Sequence, residues 1–263
     1  MLQGLTRSYT IAFAPRSGST EICGLLRRNG FGAPAELFQY PPPRAAGSLD
    51  ITGFQTILEK HQANGIFGSK MAHNHRAGMD EYLRVAVAGY GQLDDILPNH
   101  RWVWLTRRDR LQQVVSMCRA EQSDVWAVGA GGSISRAEFK YDFFQLLSRL
   151  CMLQAADLIW ELYFTKRAIT PLRLIYEDFF SDVPGQLRQL IDFLGGPAKA
   201  EGSIDIESSL SIQRTDVDQS VRERFSRDLD RIGEAEFQRE WARPMARWNK
   251  FFFEYGWRDT NPE

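Results

Sequence analysis

Apolar and polar positions alternate along Tyr9-Thr10-Ile11-Ala12-Phe13, then fall at helical spacing at Ile22, Leu25 and Leu26. A period of two followed by a period of 3.6 predicts a strand, the tight loop Ala14 to Thr20, and a helix. Asn29-Gly30 is a natural helix stop, and the glycines and prolines of residues 31–43 predict loop. Gly65 to Met71 predicts a second short strand that ends around Lys70 and runs into a polar turn over residues 72–76. Arg101 to Thr106 is the clearest strand pattern, and the segment behind it carries Leu111, Val114, Val115 and Cys118 on one helical face. Ser135 to Glu138 has the form of a capping box, opening a helix from about Arg136 to Arg167 with Phe139, Phe143, Leu146, Leu150 and Leu153 as its stripe. That stripe is read as core, although a long helix of this kind also suits a dimer contact. Leu172 to Glu177 predicts a further strand, and Pro184 to Leu194 a helix closed by Gly195-Gly196. A charged helix is expected from about Val217 to Arg231, and Trp241, Trp248, Phe251, Phe252, Phe253 and Trp257 supply aromatic area to pack on the body.

Strands separated by helices predict an α/β chain with an open parallel sheet, and no repeat or linker divides residues 1–263, which are expected to form a single domain. A formal net charge of −1 gives no global field for nucleic acid or a membrane surface, so an anionic ligand has to be small and held by a local cluster. The three cysteines, Cys23, Cys118 and Cys151, form no CxxC pair and are expected to be thiols in a reducing compartment. No run approaches the roughly eighteen apolar residues of a membrane span, and the N-terminus lacks the pattern of a signal peptide. The expectation is a soluble, cytoplasmic protein.

The loop Ala14-Pro15-Arg16-Ser17-Gly18-Ser19-Thr20 carries the first chemical signal. A loop between strand and helix gathers backbone N–H groups and the positive end of a helix dipole at one point, which suits a phosphate or sulfate. Gly18 allows close approach, Arg16 adds charge and a fork of donors, and Ser17, Ser19 and Thr20 add hydroxyls. Taken alone, the same residues also describe a well-capped helix start. Gly18 is followed by Ser19 rather than by the lysine of a Walker A loop, which weakens an ATP or GTP kinase reading.

Ligands of open parallel sheets bind beyond the carboxyl ends of the strands, where Lys70 and Arg107 are placed. Ser116, two turns into the following helix, is within reach of the same phosphate as Arg107. Glu36 lies among apolar and aromatic neighbours close to the loop, a setting in which burial raises basicity and makes a general base; a surface carboxylate is the plainer alternative. His73 and His75 are expected in an exposed turn, and with only His61 and His100 elsewhere no metal site is expected. Arg214 stands where a polar loop meets the last charged helix, and Gly129 to Ser133 is either a mobile lid or a plain connector.

The motifs Ala14 to Thr20, Gly32 to Tyr40, Gly68-Ser69-Lys70-Met71 and Arg107 to Ser116 together resemble the bacterial trehalose 2-sulfotransferase family, over Tyr9 to about Leu229. The resemblance implies a P-loop-like, three-layer α/β fold with a central, mostly parallel sheet flanked by helices. It implies an enzyme that moves a sulfuryl group from 3′-phosphoadenosine 5′-phosphosulfate (PAPS) to a hydroxyl of a carbohydrate or glycolipid, without a metal, releasing 3′-phosphoadenosine 5′-phosphate. Residues Arg16, Ser17, Gly18, Ser19 and Thr20 would hold the 5′-phosphosulfate, Arg107 and Ser116 the 3′-phosphate, and Arg214 would add a contact near the nucleotide. Glu36 matches the family's proposed base, and Arg16 and Lys70 would meet the charge of the transferring group. Many other sulfotransferases take that base from a His two residues after a strand-end Lys, but here Met71 and Ala72 follow Lys70. In the family pattern an acidic residue that helps read the sugar stands where this chain has Ala33, which points away from trehalose. The resemblance also suggests a homodimer. The rival readings are a P-loop nucleotide kinase and a non-catalytic nucleotide- or glycan-binding protein.

Overall fold

A computed structural model of the chain describes residues 4–38, 51–86, 92–126, 139–198, 204–206, 219–239 and 242. Along the chain run β1 (Arg7–Phe13), α1 (Ser19–Arg28), α2 (Ile51–His61), β2 (Gln62–Ala63), β3 (Ile66–Ala72), α3 (His73–Ala86) and α4 (Leu93–Ile96). They continue as β4 (His100–Thr106), α5 (Arg110–Ser123), α6 (Phe143–Lys166), β5 (Leu172–Ile175), α7 (Tyr176–Ser181), α8 (Val183–Phe193) and α9 (Gln219–Arg231). The strands form one sheet in the order β2-β3-β1-β4-β5. Pairing is parallel between β1 and β3, β1 and β4, and β4 and β5; only the two-residue β2 runs antiparallel, against β3. The architecture is therefore α/β with a mostly parallel sheet flanked by helices.

Alternation along β1 sends its side chains to two different cores. Tyr9, Ile11 and Phe13 pack with Ile22, Leu25 and Leu26 of α1 and with Phe179 of α7 and Leu187, Leu190 and Ile191 of α8. On the other face, Ala12, Phe67, Met71, Trp102 and Trp104 meet α2, α3 and the C-terminal half of α6 through Phe54, Leu58, Met79, Leu83, Trp160 and Phe164. Burying one such side chain stabilises by roughly 1.5–3 kcal/mol, so these two faces account for the sheet's place between layers of helices. A third cluster, Val114, Val115, Cys118, Leu146, Leu153 and Phe225, joins α5, α6 and α9.

Three helix boundaries depart from the sequence expectation, each for a local reason. Residues 73–76 are not a turn but the first turn of α3, whose Met79 and Leu83 pack into the core one helical turn apart. Strand β5 stops at Ile175, and Tyr176 and Glu177, expected in the strand, open the short α7. Among the described residues α6 begins at Phe143, where the Asp142 carboxylate caps it by accepting from the Gln145 N–H at 3.0 Å. The expected capping box at Ser135 to Glu138, the glycine-rich 129–133 stretch, Arg214 and the aromatic residues from Trp241 onward lie outside the described residues. Cys23, Cys118 and Cys151 are all buried and unbridged. Burial pushes the Cys23 thiol up to about 12, against the opposing charges of Lys70 and Arg27, which fits a packing role. Among the described residues no helix is long and apolar enough to cross a membrane.

Candidate functional site

The chain leaves β1 at the centre of the sheet, places β3 on one side of it and then β4 on the other. A crevice opens at such a reversal, beyond the carboxyl ends of the strands. Three segments lie at this edge of the sheet: the loop after β1, the last residues of β3 with Lys70, and the residue after β4, Arg107.

The loop has an unusual backbone. Arg16 adopts a left-handed conformation at φ 63°, a region that a non-glycine residue occupies only when its surroundings impose it. Gly18, the residue that caps α1, is also left-handed at φ 86°, and a Cβ there would lie 2.6 Å from the Tyr176 ring. Both the backbone angle and the ring against it require glycine at this position. The Arg16 side chain folds over α5, where its Nε donates to Ser116 Oγ at 2.9 Å and its Nη1 to the Trp126 carbonyl. Ser17 is 1% exposed and its Oγ has no hydrogen-bond partner. A buried hydroxyl without a partner, in a loop that opens a helix, suits a ligand that supplies the missing acceptor.

The Arg107 guanidinium lies over the Tyr176 ring, 4.4 Å from its centroid; it donates from Nη1 to the Arg16 carbonyl at 3.2 Å and has its Nε 3.7 Å from Glu177 Oε1. Burial lowers its pKa, while Tyr176, Glu177 and Asp109 act in the opposite direction. Glu177 also accepts from the backbone N–H groups of Arg108 and Asp109 at 2.8 and 3.0 Å, so one carboxylate organises the start of α5. Arg108, by contrast, points outward and pairs with Asp178. Arg222 of α9 reaches the same corner and donates to Asp109 at 2.6 Å.

Lys70 donates from Nζ to Thr20 Oγ1 at 3.1 Å and sits over the Phe13 ring at 5.1 Å. Its backbone N–H donates to the Ala35 carbonyl at 2.9 Å, and the Ala33 N–H donates to His61 O at 2.8 Å. These two bonds tie the 32–38 segment to β3 and to the end of α2, which holds Glu36 near Lys70. The Glu36 Oε1 is 3.3 Å from His75 Nδ1. Contact with His75 holds the Glu36 carboxyl below the usual glutamate range, and with help from Lys70 it outweighs the upward push of burial. The expectation that burial would raise this residue's basicity is thus reversed, because a donor on the first turn of α3 faces it.

The structure links Arg16 to Ser116 and to Arg107, and Lys70 to Thr20 and, through its charge, to Glu36, with Ser17 and Ser19 buried in the same loop and Gly18 capping α1. Sequence reasoning gave His75 only an exposed turn, and Tyr176 and Glu177 only the end of a strand. The i, i+4 pair Met79 and Leu83 was the available sign that His75 lies in the first turn of a helix. Among the described residues no three His, Cys, Asp or Glu side chains gather as a metal-holding group.

A mostly parallel sheet with a hydroxyl-rich loop at its switch point, beside cations near the strand ends and a carboxylate, defines an α/β protein whose groups suit an anion and group transfer. More specifically, the chain belongs to the Stf0 sulphotransferase family, whose model matches residues 8–228. Trehalose 2-sulfotransferase of Mycolicibacterium smegmatis is 24% identical over 263 residues, covering 86% of this chain and 97% of that protein. The trehalose 2-sulfotransferase of Mycobacterium tuberculosis is likewise 24% identical, over 264 residues, with the same coverage. The crystal structure of a sulfotransferase from Alicyclobacillus acidocaldarius aligns with a TM-score of 0.48 and 13% identity, over 92% of this chain and 98% of that one.

Proposed function

We propose that this sulfotransferase moves the sulfuryl group of PAPS to a hydroxyl of a carbohydrate or glycolipid. The observation that carries the reading is the unpartnered Ser17 hydroxyl, buried in the loop onto which Arg16, Lys70 and Arg107 converge. The donor set fits a phosphosulfate: it offers cations, hydroxyls and a helix N-terminus. On this reading Arg16, Ser17, Gly18, Ser19 and Thr20 hold the 5′-phosphosulfate, Arg107 and Ser116 hold the 3′-phosphate, and Arg214 adds a contact near the nucleotide. The trehalose 2-sulfotransferases support a sugar acceptor. Ala33 offers no side-chain hydrogen bond to a sugar hydroxyl, so acceptors other than trehalose are included.

Glu36 takes the proton from the acceptor hydroxyl as its oxygen forms a bond to sulfur. The bond from sulfur to the 5′-phosphate oxygen breaks in line, and its electron pair leaves on that oxygen. Arg16, Lys70 and the loop N–H groups meet the charge that develops on the transferring group and the leaving oxygen, already in place before reaction. Transfer of labelled sulfate from PAPS to a panel of sugars and glycolipids tests the reading, with the product identified by mass spectrometry. A labelled sulfated sugar is the expected product. Magnesium-dependent phosphoryl transfer from ATP without affinity for 3′-phosphoadenosine 5′-phosphate would replace it with a kinase, and tight binding of that bisphosphate with no transfer would make the chain a binding protein.

A prediction about pH follows from the Glu36–His75 contact. A base whose pKa is held down remains ionised into mild acid, so the acid limb of turnover lies below that of an ordinary glutamate. In His75→Ala the contact is lost and the upward push of burial is opposed only by Lys70. The acid limb then moves to higher pH, with little change at neutral pH where Glu36 stays ionised. A pH–rate profile of the two proteins decides this, and an unmoved limb would separate His75 from the titration of Glu36.

A further inference from the structure

Against the loop, a buried polar chain runs from α6 through α5 to the Pro15 carbonyl. Gln113 is 0% exposed and lies in the otherwise apolar face of α5. Its Nε2 donates to the Pro15 carbonyl at 2.8 Å, and its Oε1 accepts from Arg110 Nη1 at 3.0 Å. A carbonyl can only accept and a guanidinium can only donate, so this arrangement allows one orientation of the amide. Arg110 in turn is anchored through Nη2 to Asp157 of α6, itself buried. The next peptide is held in the same way, by Arg107 on the Arg16 carbonyl.

A trans peptide is planar, and its N–H points opposite to its C=O. Drawing the Pro15 carbonyl back onto Gln113 therefore aims the Arg16 N–H away from α5. Drawing the Arg16 carbonyl onto Arg107 fixes the Ser17 N–H in the same manner. The left-handed Arg16 between these two peptides is a strained conformation, and strain of this kind persists only where the surroundings over-determine it. A free loop would relax and scatter its N–H groups.

We propose that Gln113, oriented by the Arg110–Asp157 pair, is a positioning residue that sets the anion loop in its ligand-ready backbone conformation. The inference deepens the donor reading above and rests on it. Gln113 touches no ligand: it acts through Pro15 and Arg16, so its loss is felt on the donor side and not on the acceptor side. The test is Gln113→Met, which keeps the length and the apolar contacts and removes both polar ends. Two quantities are measured: affinity for 3′-phosphoadenosine 5′-phosphate by calorimetry, and amide hydrogen exchange of the peptide spanning residues 13–20. Expected are an affinity weakened about tenfold, as for loss of one buried positioning bond, faster exchange confined to that peptide, and an unchanged acceptor KM at saturating PAPS. Unchanged affinity with unchanged exchange overturns the proposal, as does faster exchange spread evenly over the chain, which would make Gln113 a general packing residue. Should Gln113→Met fail to fold, Asp157→Asn loosens the same chain from its far end, and the same local exchange signature is required of it. If the wild type binds no bisphosphate, the donor reading fails, and the exchange measurement alone decides the role of Gln113.

Discussion

Glu36→Gln is expected to lower turnover about a hundredfold or more while affinity for 3′-phosphoadenosine 5′-phosphate stays near that of the wild type, the signature of a lost general base. Glutamine matches glutamate in size and keeps an oxygen to face His75, so the 32–38 segment retains its place against β3. What it loses is the capacity to accept the acceptor's proton. The two halves of this expectation come from different parts of the structure. The carboxyl group sits on a segment tied to β3 and His61, whereas the proposed nucleotide contacts come from the loop after β1 and from the start of α5. Chemistry and donor binding are therefore separable at this residue. Single-turnover rates with saturating PAPS, set beside calorimetry with the bisphosphate, measure the two halves. Wild-type turnover in Glu36→Gln would remove this residue from the base's role, and an equal loss of rate and affinity would make it a binding group.

The residues that sequence reasoning placed well are those whose roles are set by their neighbours in the chain. The strand, loop and helix from Tyr9 to Arg28 were legible because a period of two gives way to a period of 3.6 around Gly18. Lys70 and Arg107 were legible because both lie near the carboxyl end of a strand, Lys70 two residues before β3 ends at Ala72 and Arg107 just after β4, and such ends of a parallel sheet share one edge. His75 was not, because a run of polar residues after a strand reads as a turn until the packing of Met79 and Leu83 shows a helix. The lowered pKa of Glu36 was out of reach for the same reason: its immediate neighbours are apolar, and the donor that opposes their effect comes from another element. Gln113 and Pro15 are 98 positions apart, and periodicity carries no information about such a partner. A glutamine inside an apolar helical face was the only local sign.

Arg107→Ala is expected to weaken binding of 3′-phosphoadenosine 5′-phosphate by about a hundredfold, since a hydrogen bond to a charged group contributes roughly 1.5–3 kcal/mol. Two losses add in the same direction. The guanidinium that would face the 3′-phosphate disappears, and with it the clamp on the Arg16 carbonyl at 3.2 Å that helps hold the left-handed loop residue. The two are told apart with a second ligand. Adenosine 5′-phosphate lacks the 3′-phosphate but keeps the group that the loop would hold, so its affinity reports only the loss of the clamp. A direct role at the 3′-phosphate requires that Arg107→Ala lower affinity for the bisphosphate much more than for the monophosphate. Equal losses would make Arg107 a second positioning group for the loop, beside Gln113, and unchanged affinity for both would sink the 3′-phosphate assignment. Arg107→Lys sharpens the comparison. A lysine keeps the charge but neither the fork nor the planar group that lies over Tyr176, so it is expected to recover only part of the lost affinity. Full recovery would mean that charge alone matters at this position and that the contact with Tyr176 merely fills space.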